Sequence, residues 1–371
     1  MKVLFISDFI LAKEQGAKQS TIAHYDTLKD IFGINNVDVV ALNSRYKSAD
    51  NNIKYLENER TKIQKLISII ERVPFLISRE GVQAISGLCK KNNYSLVFID
   101  HSIYGDIVKL IKERFHIPVV AYFHGIMQYQ NIEYKKHAKT SILYFLPCGN
   151  MKRNETRTIK YADKCLILND RDNENLFNYY GVKSDTMLPV YYPDTAKIEK
   201  KTAEKKFKLL FVGGYFWPNV HGITWFCENV MPELTEDIEL SIVGNGMDQL
   251  REKLQTNHIH VMGRVDSLDN FYNDADVVVG PIFEGEGMKT KTCEALMYGK
   301  LYLGTEEALN GYTGLDQYRC DTKEEFIQRI TELKNSHTNK YHQEMRDLYE
   351  EYYSPAMAKY TLMKLFSELK L

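Results

Sequence analysis

The chain has 371 residues, more than the roughly 250–300 that one hydrophobic core usually holds, so we predict two domains. Hydrophobic residues make up 44% and charged residues 26%, which is typical of a globular protein and excludes a fibrous or disordered one. The 48 basic and 49 acidic residues nearly cancel, which argues against nucleic acid as the main partner, and no run approaches the about 18 apolar residues of a membrane-spanning helix.

The first half of the sequence alternates strand and helix patterns. The opening strand, 2–7, is too short for a signal peptide, and a helix at 20–32 and a strand at 37–42 follow it. Further predicted strands are 95–99, 117–123 and 163–169; further helices are 81–92, 104–115, 150–161 and 170–180, with a tyrosine-rich helix or lid at 131–146. This alternation predicts a parallel, doubly wound sheet. The loop after the first strand lacks a G-x-G-x-x-G fingerprint, so no dinucleotide site is expected there.

Polar side chains follow several of these strands. Asp8, Asp100, His101 and His124 all stand at predicted carboxyl ends, where ligands of parallel sheets collect. Asp100 and His101 are candidates for contact with an acceptor substrate. On this pattern alone, His124 is as compatible with a core histidine as with a site residue. Gly16 either shapes an acceptor-facing loop or forms a plain turn.

The segment 60–77 is amphipathic, with basic residues on one side and Ile and Leu on the other. We favour an ordinary helix packed on the sheet, because most amphipathic helices in globular domains do only that. The alternative is peripheral contact with an anionic membrane through Arg60, Lys62 and Lys65.

The second half starts a new strand-first pattern after a charged, small-residue linker at 194–206. Predicted strands are 207–212, 238–243, 259–262, 276–279 and 301–304, and predicted helices are 220–230, 247–255, 268–275, 288–299 and 323–335. We therefore predict domains at 1–193 and 207–350, and a closing helix at 351–371 that returns to the first domain.

One stretch, 280–300, concentrates the candidate chemistry. It runs from strand through a Gly-rich loop into a helix that ends at Gly299. It holds Glu286 and Glu294, with seven residues between them, and the lysines Lys289 and Lys291. Glycine turns and a helix N-terminus favour a polyanion, and carboxylates bind hydroxyls, so a sugar nucleotide is a fitting ligand. Taken singly, each of these glutamates and lysines would more often be a solvated surface residue than a ligand contact.

Ordered motifs across the second half resemble a known family. They are Phe211-Val-Gly213, Val243-Gly-Asn-Gly246, Val261-Met-Gly-Arg264, Asp274-Ala-Asp276 and Glu286-x7-Glu294. This order resembles the C-terminal domain of two-Rossmann (GT-B type) glycosyltransferases of retaining family 4, in the branch common in bacterial surface-polysaccharide synthesis, such as O-antigen or capsule. The resemblance implies an α/β fold with two Rossmann-like doubly wound domains facing across a cleft.

The resemblance also assigns roles to residues. Glu294 would hold the ribose of the donor, Glu286 the hydroxyls of the donor sugar, and His124 the donor sugar and phosphate, so that His124 and Glu286 are the catalytic candidates. The remaining donor-binding candidates are Gly213, Gly214, Gly244, Arg264, Val265, Gly287, Met288, Lys289 and Lys291.

One departure from the family pattern concerns the donor diphosphate. The family usually has an arginine and a lysine after the first strand of the second domain, and residues 213–222 contain neither. We expect Lys291, with the helix N-terminus, to supply the missing positive charge. We expect His221 to be a further hydrogen-bond donor to the diphosphate.

The resemblance implies transfer of a sugar from a nucleotide-sugar to a saccharide or lipid-linked acceptor with retention, needing no strong protein base. No Asp-x-Asp pair stands at a suitable strand end, so we predict metal independence and no cofactor. Two alternatives stay open: a sugar-nucleotide epimerase on the same plan, and a non-catalytic nucleotide- or glycan-binding protein.

The cysteines bear on the compartment. They are scattered without paired spacing, which predicts buried reduced thiols rather than disulfides or metal ligands. We therefore expect a cytoplasmic protein, with the inner face of the membrane as the place of any peripheral contact. The six are Cys89, Cys148, Cys165, Cys227, Cys293 and Cys320.

Overall fold

The computed structural model describes residues 1–11, 16–42, 53–55, 61–74, 77–129, 142–199, 206–285, 287–336 and 339–371. The chain separates into two compact units, Met1–Pro189 with Ala358–Leu371, and Val190–Met357. The first boundary thus lies a few residues before the predicted position, 193.

The predicted linker begins on the surface of the second unit, to which several side chains attach it. Tyr349 donates its hydroxyl hydrogen bond to the backbone carbonyl of Tyr192 at 2.7 Å, and Arg346 pairs with Asp194. The backbone N–H of Glu199 donates to Asn273 at 3.0 Å. These anchors explain why the unit starts at Val190, and the rest of the linker, 200–205, lies outside the described residues.

The first unit is built on a parallel sheet in the order β3-β2-β1-β4-β5-β6-β7. Its strands are β1 Lys2–Ser7, β2 Val37–Ala41, β3 Ile53–Tyr55, β4 Tyr94–Ile99, β5 Val119–Phe123, β6 Lys164–Ile167 and β7 Thr186–Met187. All neighbouring pairs are parallel. The central strands are almost entirely buried, which explains their continuous runs of Val, Ile, Leu and Phe. Parallel pairing places the ends of β1, β4 and β5 at one edge.

Helices connect these strands. They are α1 Gly16–Phe32, α2 Lys62–Ile70, α3 Arg79–Lys91, α4 Gly105–Phe115, α5 Ile142–Tyr161 and α6 Asp170–Tyr180. The helix α5 starts before the predicted 150, so the second part of the predicted 131–146 segment belongs to it; residues 130–141 lie outside the described residues.

The amphipathic helix α2 differs from our preferred interpretation. It begins at a capping box formed by Thr61 and Gln64, and Ile63, Ile67 and Ile70 are exposed. These residues are spaced at i, i+4 and i+7 and so share one helix face. The predicted ordinary packing therefore holds only for the opposite side of the helix, where Ile69 packs against the core.

The second unit is built on a five-stranded parallel sheet in the order β10-β9-β8-β11-β12. Its strands are β8 Phe207–Val212, β9 Ile238–Val243, β10 Ile259–Gly263, β11 Val277–Gly280 and β12 Leu301–Gly304. Its helices are α7 Trp217–Asn229, α8 Arg251–Leu254, α9 Asp269–Asp274, α10 Thr290–Met297, α11 Glu306–Leu309, α12 Lys323–Asn335 and α13 Gln343–Leu348. Five strands of the sheet and the helix α12 agree closely with the sequence prediction.

The helical C-terminal region is interrupted just before Pro355. After α13 comes a π-helical turn, Tyr349–Tyr353, and a new helix, α14, runs over Pro355–Glu368. Proline is tolerated at a helix start because its missing N–H has no intrahelical partner there. The helix α14 packs on the first unit, where Phe366 contacts Phe32 at a ring-centroid distance of 5.3 Å and Glu368 pairs with Lys164 at 2.7 Å.

Candidate functional site

Three glycine turns meet at the carboxyl edge of the second sheet. Gly213 follows β8 and donates its N–H to Val243 at 2.9 Å; Gly244 follows β9 and donates to Gly263 at 2.8 Å. Gly244 has φ +153°, and a Cβ there would lie 1.9 Å from the carbonyl oxygen of Gly213. No other residue fits this position, so the edge offers bare backbone to a ligand.

The loop from β11 to α10 closes this edge on one side. Gly285 and Gly287 have φ +135° and +61°, which favours glycine at both positions. A Cβ on Gly222, in α7, would lie 1.6 Å from the carbonyl oxygen of Pro281, so α7 touches the loop backbone directly. No side chain caps the N-terminus of α10, which leaves its first N–H groups for another acceptor.

Lys291 lies in the first turn of α10, and its side chain is only 8% exposed. Its Nζ hydrogen-bonds the Oδ1 of Asn219 and lies 4.8 Å from the ring centroid of Phe211. Burial, reinforced by the nearby Lys289, lowers the pKa of Lys291 to about 7, although Glu294 opposes this. Among the described residues no carboxylate forms an ion pair with this ammonium, so an anionic ligand at this point would add an opposite charge.

Asn219 is a site residue that the sequence reasoning missed. It accepts from Lys291 and donates its Nδ2 to the carbonyl of Gly214 at 2.9 Å, so it holds the lysine beside the first glycine turn. A Cβ on Gly213 would lie 3.1 Å from the Nζ of Lys291. The available signal was the polar Asn219 in the segment that lacks the expected arginine and lysine.

Lys289 already has a carboxylate partner, and its contact with the donor stays a prediction. Its Nζ pairs with Glu307 at 2.6 Å and donates to the carbonyl of Gly287 at 3.0 Å. Its charge is therefore already matched by a carboxylate, and its contact with Gly287 helps to shape the loop. The structure thus distinguishes the two lysines, in the direction of the sequence analysis, which expected Lys291 to supply the charge for the diphosphate.

Glu294 is half-buried on α10, one turn after Lys291. It accepts a long hydrogen bond of 3.4 Å from the hydroxyl of Tyr272, whose ring stacks on Tyr298 at 4.3 Å. Burial raises the pKa of Glu294 to about 7, while Tyr272 and Lys291 act in the other direction. A carboxylate this poorly satisfied is suited to accept hydrogen bonds from ligand hydroxyls.

The other predicted donor-site residues fall into three groups. Gly214 is exposed beside the glycine turns, and Met288 is buried under the loop. Arg264 and Val265 follow β10, the first exposed and the second half-buried. Glu286, the predicted partner of the donor sugar, lies outside the described residues, so its role stays a prediction.

A second polar cluster occupies the carboxyl edge of the first sheet, where Asp100 is completely buried. It accepts hydrogen bonds from Ser7 at 3.2 Å and from Thr21, contacts His24 Nδ1 at 2.7 Å, and lies 3.3 Å from His124 Nε2. Burial alone would raise the pKa of Asp100, but His124 and His24 hold it below its usual value. Asp100 is therefore an anchor for other side chains, and its burial leaves it poorly placed to contact an acceptor as predicted.

His101 and His124 lie on the open side of this anchor. The two rings are 5.9 Å apart, and Phe9 packs against both at 5.2 Å. His101 Nδ1 contacts the Asp8 carboxylate at 3.2 Å; burial alone would lower the pKa of His101, but Asp8 raises it above its usual value. The predicted gathering of Asp8, His101 and His124 is thus observed.

Two further predictions concern the first unit and metal binding. Gly16 forms the first residue of α1, and its part in an acceptor-facing loop stays a prediction. In the part of the chain that the structure describes, no three His, Cys, Asp or Glu side chains are arranged to hold a metal ion. Metal independence stays a prediction. Within the same ranges, no helix is both long and apolar enough to cross a bilayer.

The comparison with known proteins supports the family resemblance. Residues 206–336 match the model of the family described as glycosyl transferases group 1. A search of curated protein sequences returned no match. The match covers most of the second unit and includes every donor-site residue discussed above.

Solved structures share the fold over almost the whole chain. The sucrose-phosphate synthase of Thermosynechococcus elongatus has a TM-score of 0.73 at 12% identity, covering 99% of this chain and 98% of that one. Anabaena HepE in complex with UDP has a TM-score of 0.71 at 12% identity, covering 99% and 100%. The lipopolysaccharide outer core galactosyltransferase WaaB has a TM-score of 0.67 at 14% identity, covering 99% and 100%. The chain therefore has the GT-B fold, with two parallel-sheet α/β domains.

Proposed function

We propose, from the glycosyl transferases group 1 domain at 206–336, that this protein is a glycosyltransferase that uses a nucleotide-sugar donor. The observation that carries the proposal is the buried, incompletely compensated ammonium of Lys291, held by Asn219 between glycine turns and the start of α10. A nucleoside diphosphate supplies the missing negative charge at that point. HepE, a protein of the same fold, binds UDP, so UDP is the first probe for the donor nucleotide.

The proposed donor contacts divide between three groups. Lys291 and the first N–H groups of α10 hold the diphosphate, since an ammonium and a helix N-terminus both favour phosphate oxygens. Glu294 accepts hydrogen bonds from the ribose hydroxyls. The turn at Gly213 lies beside the Lys291 ammonium, since a Cβ on Gly213 would lie 3.1 Å from its Nζ, so a diphosphate held by Lys291 meets the backbone of the turns at Gly213 and Gly244.

Transfer requires the diphosphate to leave as the glycosidic bond breaks. The same Lys291 charge and helix dipole that bind the ground state stabilise the added negative charge on the leaving oxygen. This accounts for the absence of the usual arginine and lysine at 213–222: one buried lysine, oriented by an amide, replaces them. We assign Glu286 to the hydroxyls of the donor sugar and His124 to the sugar and its phosphate, and we expect retention of configuration.

The acceptor is proposed to be a saccharide or lipid-linked saccharide of a cell-surface polysaccharide. The comparison with WaaB, a lipopolysaccharide galactosyltransferase, supports this class. The exposed face of α2 supports peripheral contact with a membrane, because Ile63, Ile67 and Ile70 would insert while Lys62 and Lys65 meet anionic headgroups. A cytoplasmic site of action fits the six cysteines, which are buried reduced thiols.

Thermal-shift titration with UDP, GDP, ADP and CDP tests the donor site. We expect one of them to raise the melting temperature of the parent protein, because a ligand that binds only the folded state stabilises it. Glu294→Ala should keep the fold and lose this stabilisation. An equal shift for parent and Glu294→Ala contradicts the proposed ribose contact.

The epimerase alternative receives no specific support. It requires acid and base carboxylates around the sugar, and the only carboxylate of that kind in the stretch, Glu286, lies outside the described residues. The distinguishing result is simple: an epimerase converts a nucleotide-sugar without releasing nucleotide, whereas a transferase releases a nucleoside diphosphate.

A further inference from the structure

We propose that an exposed aromatic surface of the second unit is a subsite for a pyranose ring of the acceptor saccharide. This aromatic platform consists of Tyr215, Phe216, Trp217 and His221, with Glu284 at its edge. The description of the saccharide as acceptor rests on the proposed function. Saccharide binding at the platform does not, because it follows from the surface itself.

The platform presents three consecutive large aromatic side chains to solvent. Tyr215, Phe216 and Trp217 are 48%, 66% and 62% exposed. A single exposed aromatic residue needs no explanation, but a contiguous group is typical of a binding surface. In the free protein these rings expose apolar surface to water, which is unfavourable. A bound ligand covers that surface.

The backbone under the rings is fixed. Tyr215 donates its N–H to Asn245 at 2.8 Å, and Phe216 accepts from Val220 at 2.9 Å as α7 begins. Pro218 follows in the first turn and restricts the backbone further. The rings are therefore held on a preorganised segment, which lowers the conformational entropy lost on binding.

The ring of Trp217 stacks on the ring of His221, and the exposed indole offers a flat apolar face with a polar edge. The two residues are four positions apart on α7, and their rings lie parallel, with centroids 5.2 Å apart and an interplanar angle of 3°. The carboxylate of Glu284 accepts from Trp217 Nε1 at 3.1 Å and lies 3.7 Å from His221 Nδ1. A flat apolar surface bordered by a carboxylate matches a pyranose, which has an apolar C–H face and a rim of hydroxyls.

This chemistry favours a saccharide over a membrane or an apolar protein surface. Among the described residues, the carboxylate of Glu284 contacts the rings of Trp217 and His221, and anionic headgroups repel it. Covering the platform with a purely apolar partner would bury Glu284 without replacing its hydration, which is costly. Sugar hydroxyls replace that hydration directly.

The platform is joined to the proposed donor site by covalent and hydrogen-bonded neighbours. Glu284 belongs to the same loop as Gly285 and Gly287, and Tyr215 follows Gly214, whose carbonyl accepts from Asn219. Asn219 in turn holds Lys291. A saccharide on the platform therefore lies beside the segments that we assign to the donor, which is where an acceptor belongs.

Tryptophan fluorescence tests the inference directly, because the chain has only two tryptophans, Trp217 and Trp225. In a Trp225→Phe background, Trp217 is the only tryptophan reporter. Maltohexaose, cellohexaose, chitohexaose and a dextran oligosaccharide serve as probes. We expect at least one to change the emission saturably, and Glu284→Gln to weaken that binding. No saturable change with any probe overturns the inference, and so does a change produced only by phosphatidylcholine–phosphatidylglycerol vesicles.

A second measurement uses variants of the whole protein. Trp217→Ala should weaken binding of the active oligosaccharide by about tenfold or more while the melting temperature and UDP binding stay unchanged. Tyr360→Ala is the matched control, since Tyr360 is 64% exposed on α14, and it should change nothing. Equal saccharide affinity of Trp217→Ala and parent overturns the inference. If the parent binds none of UDP, GDP, ADP and CDP, that result contradicts the proposed function instead, while the saccharide titrations still decide whether the platform binds saccharides.

Discussion

Replacing Lys291 by methionine should stabilise the free protein and abolish its response to UDP. Methionine preserves the length and apolar stem of the side chain, so the packing against Phe211 changes little. It removes the ammonium of a residue that is 8% exposed and that has no ion-paired carboxylate in the described parts of the chain. The substitution should raise the stability of the free protein and weaken UDP binding, because the ammonium of Lys291 contributes to ligand binding rather than to folding.

The magnitude follows from the lowered pKa. Each pKa unit corresponds to about 1.4 kcal/mol, so lowering the pKa of Lys291 from 10.5 to about 7 means that the charge costs the fold up to about 5 kcal/mol at neutral pH. Losing the charge-assisted hydrogen bond to Asn219 offsets about 1.5–3 kcal/mol of this, and losing the contact with the Phe211 ring offsets about 0.5–2 kcal/mol. These terms leave a net gain between about 0 and 3 kcal/mol; the midpoint of about 1.5 kcal/mol corresponds to roughly 3–6 °C in melting temperature for a domain of this size.

The gain should depend on pH in a defined direction. Because the folded-state pKa of this lysine is depressed, its destabilising effect is complete below about pH 7 and disappears as the pH rises toward the unfolded-state value of 10.5. Thermal unfolding of parent and Lys291→Met at pH 6.5, 8 and 9.5 measures this, each with and without UDP. The difference between the proteins should shrink with rising pH, and only the parent should respond to UDP.

Lys289→Met is the matched control, two residues away on the same loop. Lys289 pairs with Glu307 at 2.6 Å, so removing it leaves a half-buried carboxylate without its partner and should lower the melting temperature. The reasoning is refuted if Lys291→Met lowers the melting temperature at pH 6.5 as Lys289→Met does, or if it keeps the parent's UDP-induced shift.

Three further predictions test the electrostatics and the exposed helix. UDP affinity should fall as the pH rises from 7 to 9, because free Lys291 with a pKa of about 7 loses its proton there; isothermal titration should show this fall, and Lys291→Arg should flatten it. Asp100→Asn should destabilise the protein by about 3 kcal/mol at pH 7 because it leaves the buried His24 without its carboxylate; since the pKa of Asp100 is depressed, urea unfolding should show the difference shrinking below about pH 4. Replacing both Ile67 and Ile70 by serine should reduce sedimentation with anionic vesicles and leave UDP binding intact, whereas unchanged sedimentation contradicts membrane contact through α2.

Hydrophobic patterning predicted five of the seven described strands of the first sheet and all five of the second; the short edge strands β3 and β7 were missed. The strands of the second unit are buried runs of Val, Ile and Leu between glycine turns, and such runs can be recognised from the sequence alone. The meeting of Asp8, His101 and His124 was also predictable, because parallel strands bring their carboxyl ends to one edge. For the same reason the glycines after β8 and β9 could be assigned to one site.

Contacts between residues distant in sequence could not be predicted. Asn219 and Lys291 are 72 positions apart in the sequence, and the residues around each of them do not predict that they form a hydrogen bond. The ion pair of Lys289 with Glu307 could not be predicted from the sequence either, although it gives Lys289 the carboxylate partner by which it differs from Lys291. Amphipathicity likewise predicts that a helix has two faces, but the exposure of Ile63 on α2 depends on what the rest of the fold leaves uncovered.

The most direct measurement of the central claim is release of nucleoside diphosphate from a panel of UDP-, GDP-, ADP- and CDP-sugars, with and without a saccharide acceptor mixture. The parent protein should release nucleotide from at least one donor, faster with acceptor present. Lys291→Met and Glu294→Ala should remain folded and lose at least about tenfold in rate, since each removes a charged or hydrogen-bonding donor contact. No release from any donor, or equal release by the parent and both variants, contradicts the assignment of this strand edge as a nucleotide-sugar site.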